Sequence, residues 1–264
     1  MTTAKAAKAA PAGGTRSAKT ETTSAEDAPA TNAPAKTETT AEHRPRGEVR
    51  LPAAAATLVA IALYALLPQS ILVGPRFVIP GLELLLLISL LVVNPVRMSR
   101  QNRATRSLSI VIVVVIAVAN LGSLGLLLRL LVTQPTGAAL LLGALQVWAT
   151  DVIVFGLAFW EIDRGGPVVR NLVDRRAVPH ADFRFPQDED LGTVTEVDRG
   201  SSQKSGWMPT FIDYLYVSLS NSSAFSPTDT MPLSHRAKIL MGVESTAALI
   251  TSVLVIAKGV GSLK

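Results

Sequence analysis

Residues 213–234 read DYLYVSLSNSSAFSPTDTMPLS. They lie between a polar loop and an apolar C-terminal run, and the fold turns on whether they cross a membrane or turn back within it. The first half is helix-like but carries Asp213, Ser218, Ser220 and Asn221 among its apolar residues. The second half, SPTDTMPLS, has the Ser, Pro and Asp content of a turn.

The rest of the chain identifies the solvent. A chain with 48% hydrophobic residues, 17% charged residues and a mean hydropathy of +0.37 holds too much apolar surface for one soluble core. It reads as a membrane protein, with the lipid bilayer as its first partner. Cysteine is absent and the three histidines (His43, His180, His235) are scattered, so no thiol chemistry, metal site or cofactor is expected. The net charge of +5 flanks apolar runs and follows the positive-inside rule, which excludes a nucleic-acid partner. No nucleophile–base set or cofactor loop appears, so an enzyme is not expected either.

Residues 1–49 are rich in Ala, Lys, Thr, Glu and Pro, too polar to repay their own ordering, and predict a disordered cytoplasmic tail. Residues 50–160 hold four apolar runs, at 51–69, 76–94, 108–132 and 138–160, each near the ~20 residues that span a bilayer. Another closes the chain at 236–257. Helices are expected, because isolated strands would leave backbone groups unpaired in lipid.

Loop charge gives the orientation. Residues 94–107 carry Arg97, Arg100, Arg103 and Arg106 with no acid and belong inside, whereas VTQPTGA at 132–138 is uncharged and belongs outside. The fourth helix then ends inside at Trp160, followed by Arg164, Arg170, Arg175 and Arg176, so the loop 161–208 is cytoplasmic. Lys258 and Lys264 put the C-terminus inside too, which requires a sixth crossing, and only 209–224 can supply it. The reading is an all-α polytopic bundle of about six membrane segments in a bacterial inner membrane, with both termini cytoplasmic. Residues 209–264 then hold a polar membrane helix, an outer turn and the last transmembrane helix. A helix over 209–224 rises only about 24 Å, short for a full crossing.

The quoted stretch also resembles the pore helix, filter and outer mouth of potassium channels, whose pattern runs D-x-L-Y-x-S, T-T-V-G-Y-G-D, x-x-P. Asp213, Leu215, Tyr216 and Ser218 match its start; Asp229 and Pro232 match its end. Ser226, Pro227 and Thr228 replace the filter's glycines and tyrosine, so potassium selectivity does not carry over. A longer resemblance covers FWEIDRGGPVVR, DFRFPQ, WMPTFIDYLYVSLSNSSAFSPTDTMPLS and AKILMGVESTAALITSVLVIAKGV, roughly residues 150–260. These phrases are similar to an uncharacterised family of bacterial multi-pass integral membrane proteins, a domain of unknown function. The resemblance implies a location and a topology, not an activity.

DRGGP at 163–167 predicts a helix stop and sharp turn, with its arginine at the lipid headgroups. In DFRFPQ, Phe183 and Phe185 stand two apart, as in a short extended segment with one face on the bundle. Asp188, Glu189 and Asp190 read as a solvated turn.

Ionisable groups inside a membrane cost several kcal/mol by insertion scales and need a partner or water. Glu83 and Arg129 count to similar depths near the outer side and are expected to pair structurally. Asp151 counts to mid-helix without a base at its level, in reach of Asn120, Gln146 and Thr150; Glu244 is about a third of the way along its helix. Asp151, Asp213, Ser218, Asn221 and Glu244 form a candidate polar path. That path points to a transporter or channel-like protein; the alternative is a non-transporting scaffold or signalling protein that binds a cytosolic protein partner through its tail and the loop 161–208.

Overall fold

The computed structural model describes residues 47–93, 103–134, 137–189, 194–223 and 229–261. Residues 1–46, which hold nearly all of the expected tail, lie outside them, as do Arg97, Arg100, Asp190, Ser226, Pro227 and Thr228.

The described chain is mostly helical. Helix α1 (Leu51–Ala65) opens with Pro52 in its first turn, where proline's missing N–H leaves nothing unpaired. Helices α2 (Val78–Val93), α3 (Arg103–Thr133) and α4 (Ala138–Ile162) follow. Short helices α5 (Pro167–Leu172), α6 (Thr195–Asp198) and α7 (Ser202–Ser205) lie in the long loop, ahead of α8 (Phe211–Ser222) and α9 (His235–Gly261). Three helices, over residues 104–133, 138–165 and 235–260, are long and apolar enough to cross a membrane; α1 and α2 are apolar but shorter.

Helix α4 is central, packed by α1, α3, α8 and α9. It ends where the sequence predicts: Arg164, Gly165 and Gly166 all take positive φ, at 52°, 79° and 92°. Glycine tolerates this; Arg164 must be held there. It is buried. Its guanidinium grips Asp188 at 2.5 Å and the Phe183 carbonyl at 3.5 Å. Asp188 is therefore an ion-pair partner, and Glu189 pairs with Arg184 at 3.0 Å, so these two acids are not a merely solvated turn. Phe183 and Phe185 are buried as their spacing predicts.

The decisive feature is a two-residue pairing. Strand β1 (Phe183–Arg184), in the loop after α4, pairs antiparallel with β2 (Met231–Pro232), just before α9. The Leu233 amide donates to the Asp182 carbonyl at 2.7 Å, and Arg236 donates to both Asp182 oxygens and the Ile162 carbonyl. The chain therefore enters α8 and returns to α9 at the same end of the bundle, called here the capped end.

Between those points α8 runs antiparallel to α4. Phe211 meets Trp160 edge-on at 6.0 Å, Leu215 lies on Gly156, and the Ser218 hydroxyl donates to the Val152 carbonyl at 2.8 Å. Its 12 residues rise about 18 Å, which stops level with the middle of α4. The expected sixth crossing over 209–224 is thus replaced by a half-length helix whose flanks share one end. The expected outer turn changes ends with it: Met231–Pro232 sits beside the loop 161–208.

The termini follow. Glu48 is built into the capped end, whereas Lys258 of α9 donates to the carbonyl of Gln134, beyond the far end of α3, at 3.3 Å. The start of α1 and the end of α9 lie at opposite ends of the bundle, contrary to the expectation that both termini share a side.

Candidate functional site

Helix α8 is held at its entry by two buried carboxylates. Glu48 was expected to belong to the tail, but its side chain is only 6% exposed and receives four donors. These are Trp160 Nε1 at 3.0 Å and the Phe211 amide at 2.8 Å on Oε1, with Arg170 at 3.0 Å and Asn171 at 3.4 Å on Oε2. Gly47, Glu48 and Val49 are therefore part of the folded unit, and the expected tail boundary at 49 moves toward the N-terminus. Asp163 accepts from the Asp182 amide at 2.6 Å, the Phe183 amide at 3.3 Å and the Tyr214 hydroxyl at 2.5 Å. The Arg170 guanidinium donates to the Trp160 carbonyl at 2.7 Å and stands 5.0 Å from the Tyr214 ring, a cation–π distance. Each buried charge at this end has partners, which is the condition for tolerating it.

Farther in, α8 turns Ser218, Asn221 and Ser222 toward α9. Three and four residues apart on a helix is one face. All three contact Glu244: Ser222 donates to Oε1 at 2.9 Å, Asn221 Nδ2 donates to Oε2 at 2.6 Å, and Ser218 Oγ, whose single proton is shared between the Val152 carbonyl and Glu244, touches Oε1. Ser245 donates in turn to Asn221 Oδ1 at 2.7 Å, which fixes the amide's orientation. Glu244 is 1% exposed. The opposite face of α8, with Ile212, Tyr216 and Leu219, is exposed and suits lipid.

Asp151 lies within electrostatic reach of Glu244 and accepts from Asn120 Nδ2 of α3 at 2.6 Å. Of its three expected partners Asn120 is the one engaged; the Thr150 hydroxyl donates to the Gln146 carbonyl instead. Four of the five candidate path residues, Asp151, Ser218, Asn221 and Glu244, thus gather around the inner half of α8.

Asp213 does not join them. Its carboxylate accepts from the Thr210 amide at 2.7 Å and the Thr210 hydroxyl at 2.9 Å, closing a capping box at the start of α8. The Thr-x-x-Asp spacing was its signal. Glu83 and Arg129 do not pair: no ion pair joins them among the described residues, Arg129 is exposed, and Glu83 is 1% exposed with Oε1 unpartnered. Equal depth is not equal azimuth. On α3 the buried stripe runs through Ile116, Asn120, Ser123, Leu127 and Leu131, and Arg129 falls on the far side of it.

No known protein family, curated protein or solved structure matches the chain.

Proposed function

We propose that this chain is a multi-pass protein of a bacterial inner membrane that conducts a small cation, with α8 as a re-entrant helix and Glu244 as the cation's principal contact. Helices α3, α4 and α9 would cross outright, the shorter apolar α1 and α2 would complete five crossings with the residues that flank them, and the arginine-rich capped end would be cytoplasmic by the positive-inside rule. The C-terminus would then be outside.

The observation that carries it is Glu244. A carboxylate at this depth is costly in lipid and is retained where it meets water, a proton or a cation. Here the tip of a half-length helix surrounds it with two hydroxyls and an amide, and a second acid, Asp151, stands nearby. A half-length helix needs its polar end to be buried in protein or facing a wet cavity. Two acids without an ion-pair partner favour a positive passenger.

Flux into liposomes carrying the full chain tests the reading. Wild type admits protons or alkali cations, and Glu244→Gln, which keeps size and polarity, lowers the flux at least about tenfold. Equal flux through both proteins would refute it.

A second reading draws on a surface cleft of about 180 Å³ lined by Arg164, Arg175, Val178, Pro179, Asp188 and Met208. It makes the chain a scaffold whose capped end takes a cytosolic protein partner. Absence of any flux in wild type, with specific capture of a partner that Arg175→Glu abolishes, would favour it.

A further inference from the structure

Three of the four buried acceptors left without a partner among the described residues, the fourth being Gln146 Oε1, sit on α2 and on one face of α3. Glu83 Oε1 on α2, Ser123 Oγ and Asn120 Oδ1 on α3 are buried without a hydrogen-bond partner. Each such atom is costly to bury unless water or a proton satisfies it. Tyr64 lies near two of them. It is buried on α1, within electrostatic reach of Glu83 and beside Ser123, and its own proton goes to the Val73 carbonyl at 3.0 Å. Asn120 is one turn from Ser123 on the same face of α3 and reaches Asp151 at 2.6 Å, and Asp151 lies within electrostatic reach of Glu244.

We propose that the cation is the proton, and that Glu83 is the far-end member of a relay through Tyr64, Ser123 and Asp151 to Glu244. This rests on the conduction reading above. Hydroxyls, carboxyls and intervening water pass the proton: each O–H gives its proton to the next oxygen and takes one from the oxygen before it, so no group is consumed. Asn120 cannot pass a proton cheaply through its amide; it positions Asp151 and offers Oδ1 to water. The depths fit a transmembrane route. Glu83 lies five residues into α2 from the far end, and Glu244 nine residues into α9 from the capped end. At about 1.5 Å per residue these are roughly 8 and 14 Å from the two ends, and Asp151 lies between them. Arg129, which faces outward, has no part in the route.

The test uses full-length protein in liposomes loaded with a pH-sensitive dye, with proton entry driven by a membrane potential. Glu83→Gln is expected to lower proton entry at least about tenfold, and Arg129→Gln to leave it within about twofold. Ser123→Ala, which removes one hydroxyl from the middle of the route, is expected to lower it several-fold and decides the matter if Glu83→Gln does not assemble. Unchanged proton entry in Glu83→Gln or Ser123→Ala, with loss in Glu244→Gln, overturns the relay and leaves the conduction reading standing. Wild-type flux of alkali cations but not protons overturns it in the same way. No flux of either in wild type overturns both.

Discussion

Glu48→Ala tests how the capped end is built. Glu48 is the common acceptor for two groups at the start of α8 and the end of α4, the Phe211 amide and the Trp160 indole, and for the charged Arg170. Truncation leaves all three without that partner. Arg170 keeps its bond to the Trp160 carbonyl at 2.7 Å, but its side chain is fully buried and loses its counter-charge. Breaking a buried pair from one side costs about 3–5 kcal/mol. For a domain of this size 1 kcal/mol lowers the midpoint by about 2–4 °C, so the apparent Tm in detergent should fall by about 6–20 °C. Tryptophan fluorescence reports the transition, with Trp148 and Trp207 replaced by Phe in both proteins so that the signal is that of Trp160, whose indole is one of the orphaned donors. Glu48→Gln keeps an acceptor for Trp160 and Phe211 while losing the charge, and is expected between wild type and Glu48→Ala. Deleting residues 2–46 is expected to leave the midpoint unchanged. A Glu48→Ala midpoint within about 2 °C of wild type would refute the reasoning.

Two further outcomes follow from the interior. A Cβ on Gly156 would stand 3.1 Å from Leu215 Cα, so Gly156→Val forces α8 off α4; a loss of about 1–3 kcal/mol, seen as a lower midpoint, is expected, with Gly156→Ala milder. Asp151→Asn keeps an acceptor for Asn120 and is expected to stay within about 4 °C of wild type while lowering proton or cation flux at least about tenfold. A destabilised Asp151→Asn with normal flux would mark the acid as a packing group.

The long apolar helices and the stop after α4 were legible because they depend on local content: apolar run length and the glycines that accept positive φ. Phe183 and Phe185 were legible from their period of two. Glu48 was not, because its partners lie 112 to 163 residues away and the surrounding composition is that of a solvated tail. The course of α8 was half legible. Its polar residues and its short rise argue against a crossing, but charge bookkeeping at the C-terminus demands an even number of segments and outweighs them. The β1–β2 contact that settles the matter joins two dipeptides 47 to 49 residues apart, with no pattern of their own. Glu83 and Arg129 show the limit of counting depth along helices, since which way a residue faces depends on its neighbours' buried stripe. Asp213 was legible and misassigned: the Thr-x-x-Asp box names its role.

The account rests on α8 entering and leaving at one face. The chain has no cysteine, so one introduced at Met231 is the sole target for a membrane-impermeant thiol reagent applied to vesicles of known orientation. His180→Cys marks the capped end and Gln134→Cys the far end, all three positions being exposed. Met231→Cys is expected to label from the same side as His180→Cys and to be protected on the side that labels Gln134→Cys. Labelling with Gln134→Cys instead would make 209–224 a full crossing and contradict the re-entrant helix on which the conduction reading stands.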